Sequence, residues 1–139
     1  MVSIQQGATL TYQRQIRNDD IRAFAALSGD HGHHHVHPDE TGRLVAHGLL
    51  VISVATRLGS DIHYLAHTMT WMFIRPVFGD DTITATIKLS RVQPENDRLH
   101  IQMQVRITNQ DGRIVTRGES TGVITHPATV ASYLPPATV

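Results

Sequence analysis

HGLLVISVATRLGS, His47 to Ser60, is apolar on almost every side over about four helical turns. Such a run reads as a helix buried all round, with Gly59 as its C-terminal stop. Beyond it the period changes to two. His63 to Val77 is a long extended candidate rich in aromatic and β-branched residues, closed by Pro76, Gly79 and Asp80. Within it His67, Met69, Trp71 and Phe73 alternate, as a sheet face packed on a core does, with the lining of a pocket as the lesser alternative. Thr82 to Val92 places Ile83, Ala85, Ile87 and Leu89 on one face, and Leu99 to Ile107 does the same with Leu99, Ile101, Met103, Val105 and Ile107. QPENDR is the loop between these two strands. Asp111-Gly112 marks a hairpin turn into a last strand, Ile114 to Ile124.

On the N-terminal side, Thr9 to Ile16 has a looser period of two and suggests another strand. Asn18 or Asp19 can cap a helix whose apolar stripe is Ile21, Phe24, Ala25 and Leu27, ending at Ser28 and Gly29. From there to Ala46 polar residues dominate, punctuated by Pro38 and Gly42, which reads as a loop with room for a short turn. A sheet with one apolar face must cover that face, and the apolar helix is the natural cover. The expected fold class is therefore α+β, an antiparallel sheet on one long helix. One helix is a small cover for so many strands, so a homodimer or higher homo-oligomer is expected. The expected domain runs over residues 1–124, with residues 125–139, which carry three prolines, as an extended tail.

The chain's 139 residues suit one domain with a real core. Lys plus Arg and Asp plus Glu are 12 each, which gives no electrostatic reason to expect a nucleic acid or a membrane surface as partner. There is no cysteine, so disulfides and thiolate ligands are excluded, and no secretory leader or membrane-length apolar run is visible. A cytoplasmic protein is expected.

The chemistry concentrates in SGDHGHHHVH, Ser28 to His37, which holds five of the ten histidines. Three readings are open. If the stretch were extended, His33, His35 and His37 would share one side and Asp30, Asp39 and Glu40 could add oxygen ligands for a borderline ion. The spacing matches no helical or finger-type metal signature, however, and no metal or other cofactor is expected. In the second reading the histidines are solvated loop residues, which suits His31, His33 and His37. In the third, Asp30 and His35 converge on one water, the carboxylate holding the imidazole's tautomer and the imidazole moving the proton. Gly48, after His47 at the start of the long helix, offers a backbone N–H at the positive end of the helix dipole, where a carbonyl oxygen can be held.

FAALSGD followed by His35, then AHGLL, then FIRPVFGDD (Phe73 to Asp81) resembles the MaoC-like (R)-specific enoyl-CoA hydratases of the hot-dog fold, over residues 7 to 124. The resemblance implies an antiparallel sheet wrapped around the central helix. It carries the family's catalytic aspartate and histidine onto Asp30 and His35, and the carbonyl-binding glycine onto Gly48. The activity it implies is hydration of trans-2-enoyl thioesters, or the reverse dehydration of 3-hydroxyacyl thioesters, with an acyl-CoA or acyl-carrier-protein substrate. The family's Asn, Pro and aliphatic positions are here Gly32, His33 and His34, the acidic residue two after the histidine is His37, and the segment from His35 to His47 is short. A non-catalytic acyl-thioester-binding protein and a thioesterase are the alternatives on the same scaffold. No cysteine nucleophile, GxSxG elbow or Gly-rich phosphate loop is present. Arg75 is read as capping a strand end, with a phosphate of the carrier as its other possible partner. Asp80 and Asp81 are read as turn formers, and Ser53 and Thr56 as bonding back to their own helix.

Overall fold

The computed structural model describes residues 4–125, so the expected tail lies outside them but for its first residue. The elements are β1 (Thr9–Gln15), α1 (Asn18–Ser28), α2 (His33–Val36), α3 (Gly48–Asp61), β2 (Tyr64–Phe73), β3 (Thr82–Glu95), β4 (Arg98–Thr108) and β5 (Ile114–Ile124). The strands form one antiparallel sheet in the order β1-β3-β4-β5-β2. The alternation in β3 and β4 is the cause of its apolar face: Ala85 pairs with Ile107, Ile87 with Val105 and Leu89 with Met103, all buried. Against that face α3 lays Leu50, Val51, Val54, Ala55 and Leu58. Each buried Val or Leu side chain contributes about 1.5–3 kcal/mol. This is the α+β fold expected, a sheet covered by one long helix. No described helix is long and apolar enough to cross a membrane.

α3 is not buried all round. Leu49 is 62% exposed, and Arg57 and Asp61 form an ion pair on the outer side. Nor does Gly59 stop the helix. Its φ is not positive, and its carbonyl accepts the Ile62 N–H, so the helix continues to Asp61. The expected core face of β2 is also corrected. A bulge between Ala66 and Thr68 takes His67 out of the register, and because β2 is a sheet edge Met69 and Phe73 are 47% and 53% exposed while Trp71 packs on the core. β2 approaches β5 closely because Gly118 and Gly122 present no side chain there; a Cβ on either would run into the β2 backbone and the rings of Trp71 or Tyr64.

Smaller differences have local causes. The helix α1 begins one residue early with Arg17 as N-cap, whose N–H donates to Asp20 at 2.9 Å. Asn18 is occupied elsewhere, accepting the Leu44 N–H at 3.1 Å and donating to the Gly42 carbonyl at 2.8 Å. Leu27 of the expected stripe is exposed. The β3–β4 ladder runs on to Glu95 and Arg98, so only Asn96, at φ 55°, and Asp97 turn the chain. The turn roles of Asp80 and Asp81 hold: Asp80 has φ 76°, and Asp81 accepts the Phe78 N–H at 2.9 Å. Ser53 donates to the Leu50 carbonyl at 2.6 Å, as expected of a hydroxyl on this helix.

Candidate active site

The site is built where α1 ends. Gly29 takes φ 78° and its N–H caps the Ala25 carbonyl, which releases the chain toward the sheet. Ser28 Oγ accepts the Asp30 N–H at 3.1 Å, and Asp30 Oδ1 accepts the Gly32 N–H at 3.1 Å. A Cβ on Gly32 would stand 3.3 Å from both Asp30 Oδ1 and His35 Cδ2, so the small residue lets the loop fold onto itself. The expected loop then contains a helical turn, α2. The extended arrangement that would put His33, His35 and His37 on one side does not occur, because His35 N–H bonds the Gly32 carbonyl and His37 N–H the His33 carbonyl, both at 2.8 Å. His35 turns inward, 7% exposed, while His33, His34 and His37 remain outside.

His35 Nδ1 lies 2.6 Å from the Val45 carbonyl. A carbonyl can only accept, so Nδ1 carries the proton and Nε2 presents its lone pair. That Nε2 stands 3.7 Å from Asp30 Oδ2, too far for a direct hydrogen bond and close enough for one water to bridge. The Asp30 side chain keeps 55% of its surface exposed. Its carboxyl is held below the usual carboxylate range first by the Gly32 N–H, against an opposing effect of burial, with smaller lowering contributions from the neighbouring His35, His47 and His34.

His47 is the residue that sequence reasoning used only as a neighbour of Gly48. It is 2% exposed, stacks on His35 at 3.7 Å and 16°, and its Nε2–H donates to the Asp30 backbone carbonyl at 2.9 Å. Its Nδ1 is buried with no partner. The one available signal was position: a histidine at the N-cap of an apolar helix sits where core and loop meet. Asp30, His35 and His47 thus form a cluster of potential ligands. The near-parallel stacking of the two imidazoles keeps their in-plane lone pairs from converging on a single ion, and His47 Nε2 is already engaged.

Gly48 is the first residue of α3, and its N–H has no intrahelical acceptor. It shares with His35 a cavity of about 500 Å³ walled also by His34, Ala46, Phe73 and Arg75. Phe73 rests on Gly48 so closely that a Cβ there would come within 2.7 Å of the ring. Arg75 donates to the Ile114 carbonyl at 2.6 Å, as a strand-end residue does, with its side chain still on the cavity wall. The structure therefore places Asp30 beside His35, and Gly48 on the wall of the same cavity as His35.

A family model for the MaoC-like domain matches residues 2–111. The chain belongs to the MaoC-like domain family. An (R)-specific enoyl-CoA hydratase of Rhodospirillum rubrum is 29% identical over 132 residues, covering 87% of this chain and 88% of the relative. Among solved structures, the (R)-hydratase of Aeromonas caviae superposes with a TM-score of 0.75 at 25% identity, covering 89% of this chain and 98% of that one. An R-hydratase of Pseudomonas aeruginosa in the unliganded form gives 0.76 at 22% identity, covering 98% and 93%. These likenesses give the sheet and central helix of this MaoC-like chain as the hot-dog fold.

Proposed function

We propose that this chain adds water to trans-2-enoyl thioesters, or removes it from 3-hydroxyacyl thioesters, with Asp30 and His35 as the acid-base pair and Gly48 as the holder of the thioester carbonyl. One observation carries the reading. An imidazole with its Nδ1–H committed to a main-chain carbonyl turns a bare Nε2 toward an ionised carboxylate at a gap suited to one water. In the hydration direction, the water oxygen bonds to C3 while a proton passes to the pair, and a proton returned to C2 completes the addition. The dehydration retraces those steps. Negative charge that builds on the thioester oxygen meets the Gly48 N–H at the positive end of α3. The names of the Rhodospirillum and Aeromonas relatives support the same chemistry.

The substrate is an acyl-CoA or acyl-carrier-protein thioester in this reading. An apolar cavity of about 300 Å³ beneath α3, between Ala55, Thr56 and Gly59 on the helix and Tyr64, Met69 and Trp71 on β2, is the space the fold offers an acyl chain. Leu49, Leu65, Met69, Met72 and Phe73 leave apolar area uncovered beside the free edge of β2, which supports a homodimer with a second copy as the cover.

The test is turnover of crotonyl-CoA and longer enoyl thioesters by chelator-treated protein, followed by loss of the enoyl absorbance. Tight binding without turnover would replace the proposal with a non-catalytic acyl-thioester binder. Release of free thiol would replace it with a thioesterase.

A further inference from the structure

The helical turn α2 changes which histidines are neighbours. Because residues 33–36 are helical and the His37 N–H closes onto the His33 carbonyl, His33 and His37 stand one turn apart on one face. Their rings stack 4.2 Å apart, 13° from parallel, and both side chains are exposed. His37 Nδ1 lies 3.3 Å from the His33 carbonyl, which can only accept, so the ring N–H is spent there and the lone pair is left on Nε2. Metal-bound imidazoles are prepared in the same way: a carbonyl holds one ring N–H, fixes the tautomer and leaves the other nitrogen for the ion.

We propose that His33 and His37 form a surface seat for one divalent transition ion of the zinc, nickel or copper class, separate from the Asp30–His35 pair. Two imidazoles at i and i+4 of a helical turn can reach one ion. Neutral imidazole favours these ions over calcium or magnesium. Rotation of the two exposed side chains opens the stack until each nitrogen is about 2.0–2.1 Å from the ion, and water fills the remaining positions. The stacked His35 and His47 cannot open in this way, because both rings are buried. An ion on His33 and His37 clips together the two ends of the turn that carries His35.

The experiment is calorimetric titration of the untagged chain with zinc or nickel at neutral pH, comparing wild type with His33→Asn, His37→Asn, His34→Asn, Asp30→Asn and His35→Ala, each checked for folding by circular dichroism. The expected result is one equivalent of ion per chain that weakens roughly tenfold or more in either His33→Asn or His37→Asn, at least the loss that follows removal of an outer-shell partner. His34→Asn, Asp30→Asn and His35→Ala leave it unchanged. Wild type that binds no ion overturns the proposal, as does half an equivalent per chain or binding indifferent to His33→Asn and His37→Asn. Loss of the ion in Asp30→Asn or His35→Ala would move it to the buried cluster and overturn the proposal equally. None of these outcomes depends on whether the chain hydrates enoyl thioesters.

Discussion

One methyl group added at Gly48 separates what this glycine does for packing from what its amide does for chemistry. In Gly48→Ala the new Cβ would lie 2.7 Å from Phe73 Cε1 and 3.0 Å from Cδ1 and Cζ. The obstacle is the ring of a half-exposed residue at the end of an edge strand, which can swing aside, rather than backbone. Overpacking in a tight core costs about 1–3 kcal/mol, and the mobile ring puts this case at the low end. Alanine in place of glycine in a helix stabilises by about 0.5–1 kcal/mol, which offsets part of that cost. Gly48→Ala alone should therefore shift the unfolding midpoint down by no more than a few degrees, about 1 kcal/mol or less. In a Phe73→Ala background the methyl has room, and the same substitution should stabilise by about 0.5–1 kcal/mol. The difference, a coupling of roughly 1–2 kcal/mol, is read from urea unfolding of the four proteins in a double-mutant cycle. The displaced ring also intrudes on the cavity, so kcat/KM for an enoyl thioester should fall about tenfold or more in Gly48→Ala, as a small misplacement near reacting atoms does. Equal destabilisation in both backgrounds would refute the packing argument. Unchanged kcat/KM with a displaced ring would refute the role given to this end of α3.

Asp30→Asn and His35→Ala should each lower kcat for hydration by about two to four orders of magnitude while leaving the fold intact, checked by steady-state kinetics and circular dichroism. The depressed Asp30 carboxyl stays ionised until pH falls below the ordinary carboxylate value of 3.8, so its contribution to stability is present above that value and is lost only as pH drops through its lowered folded value; a carbon-detected NMR titration that found Asp30 protonating above 3.8 would contradict this. The same titration should place Asp39 at about 2, held there first by the Thr41 hydroxyl and then by the Arg43 amide, and Thr41→Val should raise it. Gly118→Ala, whose Cβ meets the Thr70 carbonyl and the Trp71 ring, should destabilise by about 3 kcal/mol or more in thermal melts, since backbone cannot swing away as a side chain can.

How far the fold was legible follows from where period and environment agree. β3 and β4 each have one face on the core, so their alternation in sequence is also their alternation in burial. β2 breaks the correspondence twice, through its bulge and through its place at the edge, and alternating apolar residues there are not evidence of a covered face. α3 misled in the same direction: an apolar surface in sequence says that a side wants cover, not that this chain supplies it. α2 could be read no further than a short turn somewhere in the loop, because its four residues, HHHV, are too few to show a period and three of them are polar. At the candidate site, Asp30 and His35 were found by spacing and resemblance. His47 was not singled out, since its position depends on α3 meeting the α1 end, a contact between segments far apart in the chain.

The groups that fix the two imidazoles are the carbonyls of Val45 and Asp30, which belong to the main chain. Every amino acid carries that oxygen, so no substitution at position 45 can delete the acceptor that sets the His35 tautomer. Side-chain drift at position 45 is therefore neutral for the orientation of His35, and the vulnerable quantity becomes the length of the segment between the two residues. An insertion or deletion within residues 36–44 would move the carbonyl and free the ring with every ring-bearing residue still in place. In a collection of variants, loss of ring orientation should thus track changes in loop length more closely than changes of the side chain at position 45.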